Sequence, residues 1–283
     1  VHWSAGIFRN FLITLIYYGR SCSLMSNAQT NYLAQISRHK KQVRIVRSLL
    51  LLLFLALWEL TARLELIDSF IFSSPSLIAS CLISMAMDGS LFYHTGVTLI
   101  ETLLSFLLVI TISLGAALLL WSNRTLFEIL EPFLVVLNSL PKSALAPILI
   151  VWLGNRMRTI VTAAVSVALF GAILTLYTGF YQTDPDKVKL IYSLGGTRKD
   201  VLTKVLLPSS IPLIISNMKV NVGLCLVGVI IGEFLSSKAG LGYLIIYSSQ
   251  VFQMTLMVTS ITVLCLVSIA LYQIIALLEK RIP

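Results

Sequence analysis

Six long apolar stretches follow one another along this chain, at about residues 45–62, 97–121, 126–153, 159–181, 211–235 and 255–278. Most of them reach the roughly 20 residues that a helix needs to cross the hydrocarbon core of a bilayer. Because lipid offers no hydrogen-bond partners, such stretches cross it as α-helices that satisfy their own backbone. Only 12% of the residues are charged, whereas a soluble domain carries roughly 25%. The sequence therefore predicts an all-α polytopic membrane protein with six transmembrane helices.

The basic residues are unevenly distributed between the loops, and this predicts the orientation of the chain. A basic patch without acidic residues precedes the first apolar stretch, and Lys280 and Arg281 follow the last one. The patch comprises Arg38, Lys40, Lys41, Arg44 and Arg47. Cytoplasmic loops of membrane proteins are enriched in Lys and Arg, so both termini are predicted to lie in the cytoplasm. The net charge of +9 then reflects these loops, and we expect no nucleic-acid partner.

The sequence divides into two predicted regions. Residues 1–44 form an N-terminal cytoplasmic segment, and residues 45–283 form the transmembrane domain, with a cytoplasmic loop at 182–208. Residues 1–24 look unlike the rest, and an ordinary polar start follows Met25. We expect Met25 to be the natural initiator and residues 1–24 not to be native. An interfacial helix and a signal peptide are the alternatives for this segment.

The polar segment at residues 182–208 separates the fourth and fifth apolar stretches and begins with the signals of a short helix. Asp184 can cap the helix, with Pro185 at the first helical position, where the missing N–H costs nothing. Gly195 and Gly196 are expected to end the helix near residue 194, because glycine accepts the left-handed backbone of a helix stop.

A second short helix is predicted directly after the glycines. Thr197 and Asp200 have the spacing of a capping box, in which each residue hydrogen-bonds to the other. Pro208 is expected to stop this helix. A structured, basic pair of helices between two membrane spans indicates a docking element rather than a linker.

This segment resembles the EAA loop of the permeases of binding-protein-dependent ABC importers. In that motif a Glu-Ala-Ala triplet is followed by Gly, nine residues and Ile-x-Leu-Pro. Gly195 is here followed by nine residues and then by Val205-Leu206-Leu207-Pro208, so the spacing matches. The triplet position holds Lys189-Leu190-Ile191 instead, which is a departure from the family pattern.

Three further segments resemble the permeases grouped with nitrate, alkanesulfonate, taurine and bicarbonate importers. SLPKSALAPILIVWLG at residues 139–154 is similar to their Pro-x-x-Ala-x-x-Pro…Trp-x-Gly segment. Glu233 with AGLGYLI at residues 239–245 is similar to their Glu…Gly-Leu-Gly-Tyr-Leu-Ile segment. FSSPS at residues 72–76 is similar to their Pro-Ser-Pro-Ser entry. The resemblance covers about residues 45–280.

The resemblance implies the partners and the cargo of the chain. Two permease copies would lie in the membrane lipid, each docking a cytoplasmic ATPase subunit through the EAA loop. That partner would use the ATP, so no cofactor is expected in this chain. A separate solute-binding protein would deliver a small, anionic solute of the nitrate, sulfonate, taurine or bicarbonate class. A thiamine-precursor pyrimidine is the alternative cargo.

The resemblance also places the ATPase-coupling residues in this loop. They are Asp184, Val188, Lys189, Ile191, Tyr192, Gly195, Gly196, Val205, Leu207 and Pro208. Val188, Ile191 and Tyr192 have the spacing of one helix face, so we expect these three to carry the contact.

Ionisable residues within apolar stretches are costly and are therefore candidates for function. Lys142 lies between two prolines, where a broken helix can line a cavity, and Glu233 matches the family's glutamate. Both are predicted to belong to the substrate pathway. Glu101, Glu128 and Glu131 lie near the starts of apolar stretches, so we expect them at the membrane interface.

Other functions have less support in the sequence. The chain has no GxxxxGK[ST] phosphate-binding loop, and its His and Cys residues lack metal-ligand spacing. We therefore expect a transport subunit that is not an enzyme and holds no metal. A secondary transporter remains an alternative, although it would be expected to show inverted repeats. An integral-membrane enzyme would need a cluster of Asp, His or Cys, which the sequence does not indicate.

Overall fold

Helices account for almost all of residues 27–279, the part of the chain that the computed structural model describes. This range contains no strand, so the predicted all-α class is confirmed. The predictions for residues 1–24 and for Lys280 and Arg281 lie outside the described residues. The helices are α1 Asn27–Arg63, α2 Ser69–Phe72, α3 Pro75–Met87, α4 Ser90–Ser122, α5 Arg124–Ser139, α6 Lys142–Leu153, α7 Met157–Tyr181, α8 Pro185–Ser193, α9 Arg198–Val201, α10 Leu207–Ser236, α11 Leu241–Gln250 and α12 Met254–Glu279.

The described helices supply the predicted membrane spans. Five are long and apolar enough to cross a bilayer: α1 from Lys41 onward, α4, α7, the continuous run Arg198–Ser236, and α12. Helices α5 and α6 supply a sixth if the pair counts as one broken span, with a bend of 101° between them. The count of six apolar stretches thus corresponds to five straight spans and one broken one.

The break between α5 and α6 follows from Pro141. Leu140 has extended backbone with φ −60° and ψ 139°, as expected for a residue before proline, where the helical region is disfavoured. Pro141 is extended as well, and α6 starts at the next residue. Pro132 and Pro147 instead lie inside α5 and α6, so only Pro141 breaks the span.

The chain forms two compact units, one up to Leu66 and one from Ile67 onward. In the first unit, Arg63 at the end of α1 forms an ion pair with Glu59, at 2.7 Å. Phe54 and Trp58 contact each other one turn apart, with ring centroids 6.2 Å apart. Such an aromatic pair near the end of an apolar helix is typical of a membrane–water interface.

The core of the second unit is built from α4, α7, α10 and α12. Val109, Ala168, Val222 and Leu271 contribute one residue from each helix to the same buried cluster. The short helix α3 begins at Pro75 and is capped by Ser74, whose Oγ accepts a hydrogen bond from Leu77 N at 3.3 Å. The Ser-Pro pair in the FSSPS segment thus supplies the cap and the first residue of α3.

Helices α7 and α10 approach each other most closely at two glycines. A Cβ added at Gly228 would lie 2.5 Å from Ala164 Cα, and one at Gly232 would lie 2.9 Å from Ile160 Cα. Both contacts are with main-chain atoms, so a side chain at either glycine would have to separate the helices. Small residues allow this kind of close backbone approach between membrane helices.

The prediction that Pro208 stops the second helix of the loop is wrong. The helix runs from α9 through a π-turn at Leu202–Leu206 directly into α10, and Pro208 lies in the first turn of α10. The N–H of Leu207 bonds to the carbonyl of Leu202, five residues back. The wider π-turn shifts the hydrogen-bond register just before the proline, so its missing N–H and its ring are accommodated.

Candidate functional site

The loop between α7 and α10 begins with the predicted short helix. Asp184 Oδ1 accepts a hydrogen bond from Asp186 N at 2.9 Å, and Pro185 occupies the first helical position. Helix α8 ends at Ser193, after which Gly195 has φ +77°. The N–H of Gly195 bonds to Tyr192 O at 3.0 Å. The start of α8 and the glycine stop after it are confirmed.

The second helix of the loop has the predicted capping box. Thr197 N donates to Asp200 Oδ2 at 2.9 Å, and Asp200 N donates to Thr197 Oγ1 at 3.4 Å. Asp200 also forms an ion pair with Lys204, at 2.8 Å. We name residues 184–208 the coupling segment, because they include both short helices and the π-turn.

The coupling segment is fixed to the membrane helices through its second half. Arg198 Nη2 donates to Trp121 O at 2.9 Å, and its guanidinium lies 5.3 Å from the centre of the Trp121 ring. Val201 and Leu206 are fully buried, and Leu206 packs in the cluster that contains Leu120 of α4 and Phe180 of α7. A displacement of this half would therefore move the ends of α4, α7 and α10 with it.

The first half of the coupling segment instead presents apolar side chains to solvent. Leu190 is 58% exposed, Tyr192 is 50% exposed and Leu194 is 76% exposed. Val188 and Ile191, two of the three residues predicted to carry the contact, are half-buried. Leu190 and Leu194 have i,i+4 spacing and share one face, and clustered exposed apolar side chains indicate a site of protein interaction. Leu190 and Leu194, four residues apart, are contact candidates that the sequence reasoning missed.

A cavity of about 310 Å³ lies beside α8. Its lining includes Gly179 at the end of α7, Asp184 and Lys187 around the start of α8, and Ser209 and Ser210 at the start of α10. The first half of the coupling segment thus has free space behind it, whereas its second half is packed on the membrane helices.

Substitutions at Gly195 test the effect of backbone strain separately from the effect of side-chain size. No atom lies within 4 Å of a Cβ added at Gly195, so a side chain there is limited only by the positive φ. Gly195→Val should destabilise the end of α8 by about 1–2 kcal/mol, whereas Gly195→Asn should leave it nearly as stable as in the wild type. Thermal unfolding measures both variants. Equal melting temperatures for the Val and Asn variants would contradict the role of the left-handed stop.

Within the membrane helices, Glu233 near the end of α10 is completely buried. Its Oε1 accepts a hydrogen bond from Thr98 Oγ1 of α4 at 2.7 Å, and its Oε2 accepts one from Gly242 N at 2.5 Å. Thr98 Oγ1 in turn accepts a bond from Leu241 N at 2.8 Å. Glu233 thereby joins α4, α10 and the start of α11.

The glycines beside Glu233 leave room for its carboxylate. Gly240 has φ +108°, and a Cβ there would overlap both carboxylate oxygens of Glu233. A Cβ at Gly242 would lie 2.8 Å from Glu233 Oε2. His94 Nδ1 accepts a hydrogen bond from Gly240 N at 3.0 Å. The Glu…Gly-Leu-Gly spacing in the sequence is therefore the signature of a carboxylate enclosed by a turn.

Glu101 lies one turn after Thr98 on α4, and the prediction that it sits at the membrane interface is wrong. It is only 4% exposed, and its carboxyl group is within hydrogen-bonding reach of Glu233. The reason is that Glu233 and the turn after α10 cover this face of α4. Glu128 and Glu131 are exposed near the start of α5, and Glu128 forms an ion pair with Arg124 at 2.9 Å.

Lys142 occupies the first position of α6, directly after the break. Its Nζ donates to Asn138 O at 2.6 Å and lies 3.5 Å from Asn138 Oδ1. The side chain is half-buried. Lys142 thus satisfies a carbonyl at the end of α5 that has no helical partner, and it lies far along the chain from the Glu233 site.

Comparison with known proteins identifies the family. The family described as "Binding-protein-dependent transport system inner membrane component" matches residues 108–282, which is well over half of the chain. A protein of Haemophilus influenzae named "Probable ABC transporter permease protein" is 31% identical over 82% of this chain and 94% of its own length. The formylaminopyrimidine transport permease ThiX of Halalkalibacterium halodurans is 27% identical over 69% of this chain and 78% of its own length. The taurine permease TauC of Escherichia coli is 21% identical over 82% of this chain and 86% of its own length.

Solved structures show the same fold. A chain of the MetNI methionine ABC transporter in an inward-facing conformation superposes with a TM-score of 0.63 at 15% sequence identity. The match covers 70% of this chain and 98% of that chain. The chain therefore belongs to the family of membrane components of binding-protein-dependent transport systems, and it is the permease subunit of an ABC importer.

Proposed function

We propose that this permease subunit couples to its ATPase through the coupling segment, with the exposed apolar residues of α8 and Leu194 as the contact. Membership of the family implies an ATPase partner and a substrate-binding protein. The exposure of Leu190, Tyr192 and Leu194 is the single observation that carries the assignment. A short helix that places apolar anchors in a groove of its partner is a common docking mode.

The two halves of the coupling segment then have different tasks. The first half touches the ATPase, and the second half passes the movement to the membrane helices. Its anchors are the Arg198–Trp121 contact and the buried Leu206. ATP-driven closure of the ATPases would move α4, α7 and α10 together. Of the predicted coupling residues, Asp184, Gly195 and Gly196 shape α8. Val205 lies in the π-turn after α9, and Leu207 and Pro208 form the start of α10.

The proposed contact with the cytoplasmic ATPase implies an orientation of the chain in the membrane. The coupling segment lies on the cytoplasmic side, as do both termini, and the protein resides in the cytoplasmic, or inner, membrane. The uneven distribution of Lys and Arg supports this orientation. The opposite ends of the helices, including Met87 at the end of α3, face the solute-binding protein.

We assign the translocation pathway to the broken span. No residue of α5 is buried among the described residues. Glu128, Glu131 and Asn138 recur at helical spacing along one face of α5, and Lys142, just after the break, contacts Asn138. Polar residues at membrane depth face a water-filled cavity or a partner. The apolar face of α5, which exposes Ile129, Phe133 and Val136, is left for lipid or for a second permease copy. We propose a homodimer.

We assign Glu233 a structural role and not a role in the translocation pathway. Both of its oxygens accept hydrogen bonds and it is completely buried, so it positions helices rather than contacting cargo. Lys142 remains the pathway residue of the two. The distinction is testable, since a change at Lys142 should alter transport while leaving thermal stability nearly unchanged.

The cargo is a small solute of one of two classes. Relatives named for taurine, aliphatic sulfonates and nitrate support the anionic class, with identities of 21–23%. ThiX and the riboflavin permease RibX of Chloroflexus aurantiacus support a neutral heterocycle such as a thiamine-precursor pyrimidine, each at 27%. These higher identities favour the heterocyclic class. The hydrogen bond from Lys142 to the Asn138 carbonyl favours it too, because this lysine is already engaged within the protein.

ATP hydrolysis by the assembled complex decides between the classes. The partner binding protein would be loaded in turn with taurine, an alkanesulfonate, nitrate, bicarbonate, formylaminopyrimidine or riboflavin. Stimulation of ATP hydrolysis only by the heterocycles would support the heterocyclic class. Stimulation only by the anions would assign the cargo to the anionic class. Failure of every compound to stimulate would contradict both.

A further inference from the structure

The carboxyl group of Glu101 is buried next to that of Glu233. Its Oε2 has no hydrogen-bond partner among the described residues. Neither glutamate forms an ion pair with a Lys or Arg within residues 27–279. Two adjacent carboxylates in a buried site repel each other, so both cannot carry a charge there.

The donors around the pair distinguish the two carboxyl groups. Glu233 receives hydrogen bonds from Thr98 Oγ1 and from Gly242 N, and its carboxylate also accepts from the N–H of Tyr243. The two amides belong to the first turn of α11, whose N-terminal partial charge favours an anion. All of these groups are hydrogen-bond donors, so the carboxylate of Glu233 only accepts hydrogen bonds from them.

Glu101 has no such donors. The hydroxyl of Thr102, the next residue of α4, is also buried without a partner, and Ser105 directs its hydroxyl to the main-chain carbonyl of Glu101 rather than to the carboxyl group. The titratable side chains in and beside the turn are His94, Lys238 and Tyr243. His94 Nδ1 is occupied by Gly240 N, and Lys238 forms no ion pair with either glutamate among the described residues. Glu101 Oε2 therefore has no donor that would stabilise a negative charge on it.

We propose that Glu101 and Glu233 form a proton-binding site in which Glu101 carries the proton and donates it to the ionised Glu233. The pair then holds one negative charge, which the start of α11 stabilises. The shared proton joins α4 to α10 directly, beside the Thr98 contact. It ties this end of the bundle together while the coupling segment moves the other end.

Glutamine substitutions test which group carries the proton. In Glu101→Gln the amide N–H can donate to Glu233 as the acid does, so the melting temperature should change by less than about 2 °C. In Glu233→Gln an amide N–H₂ would face the N–H of Gly242, so the melting temperature should fall by roughly 5 °C or more. Glu65→Gln, at an exposed position just after α1, is the matched control and should leave the melting temperature unchanged.

Infrared spectroscopy of the full permease with its ATPase gives a readout that does not depend on stability. At neutral pH exposed carboxyl groups are ionised, so the C=O band of a protonated carboxyl reports buried acids. The band should weaken in Glu101→Gln and persist in Glu65→Gln. If Glu233→Gln does not fold, Thr98→Val, which removes one donor to Glu233, should lower the melting temperature and keep the band.

Three results would overturn the proposal. One is a wild-type spectrum without this band, and another is a band unchanged in Glu101→Gln. The third is a melting temperature that rises with sodium concentration in the wild type but not in Glu101→Gln, since a bound sodium ion would then neutralise the pair in place of the proton.

Discussion

Replacing Leu190 and Leu194 by aspartate should abolish coupled transport while leaving the permease folded. Both side chains are exposed, so the substitution removes no internal packing of the permease. At the proposed interface it would bury two charges against apolar groups. Loss of a dominant contact costs about 2 kcal/mol or more, which corresponds to at least a roughly 30-fold lower affinity for the ATPase. Titration of the purified ATPase measures this affinity, and proteoliposome uptake measures transport.

Met87→Asp is the matched control for this double variant. Met87 is 84% exposed and lies at the end of α3, remote from the coupling segment. Its substitution should leave the affinity for the ATPase unchanged. If the double leucine variant bound the ATPase as tightly as the wild type, the contact would have to be assigned to another surface.

Replacing Gly228 by leucine should strongly destabilise the membrane bundle. A Cβ at this position would lie 2.5 Å from the main-chain Cα of Ala164, so the strain cannot be relieved by a rotamer change. Overpacking in a well-packed core costs about 1–3 kcal/mol, and contact with backbone places this site at the upper end. We expect the melting temperature to fall by roughly 6–12 °C, measured by thermal unfolding in detergent.

Gly223 provides the control on the same helix. No atom lies within 4 Å of a Cβ added there, and alanine is favoured over glycine in a helix by about 1 kcal/mol. Gly223→Ala should therefore unfold at the same temperature as the wild type or a few degrees higher. Similar losses from Gly228→Leu and Gly223→Ala would contradict the account, because the loss at Gly228 could then not be assigned to its close contact with α7.

Much of the fold can be predicted from the sequence because the signals are local. A run of apolar residues is sufficient to identify a span, and Pro141 is sufficient to break one. The caps of the coupling segment are equally local: Thr197 and Asp200 interact within one turn, and Gly195 adopts the positive φ that its residue type permits.

The errors arise where a distant segment determines the outcome. Pro208 would end an isolated helix, but the π-turn before it allows the helix to continue into α10. Glu101 lies near the start of an apolar stretch, which is typical of the interface, yet residues 132 positions further along the chain bury it. Leu190 and Leu194 were missed because the spacing of Val188, Ile191 and Tyr192 defines a helix face but does not show which face packs against the rest of the protein.

Helix α8 also contains Lys189, the residue that departs from the pattern of the family. Lys189 stands where the motif of the family has an acidic residue, and it forms an exposed ion pair with Asp186 at 3.2 Å. Exposed pairs of this kind contribute little to stability. Lys189 is therefore available to the partner, and the ATPase of this transporter should present an acidic residue opposite it.

Site-specific photocrosslinking tests the docking of the coupling segment most directly. A photoreactive amino acid would be placed at Leu194 and, as a control, at Met87, in the permease assembled with its ATPase. Helix α4 has 33 residues and would extend about 50 Å, with the coupling segment held at its Trp121 end. We predict that position 194 captures the ATPase and that position 87 does not. Capture from position 87, or failure of position 194 in a complex that hydrolyses ATP, would contradict the assignment.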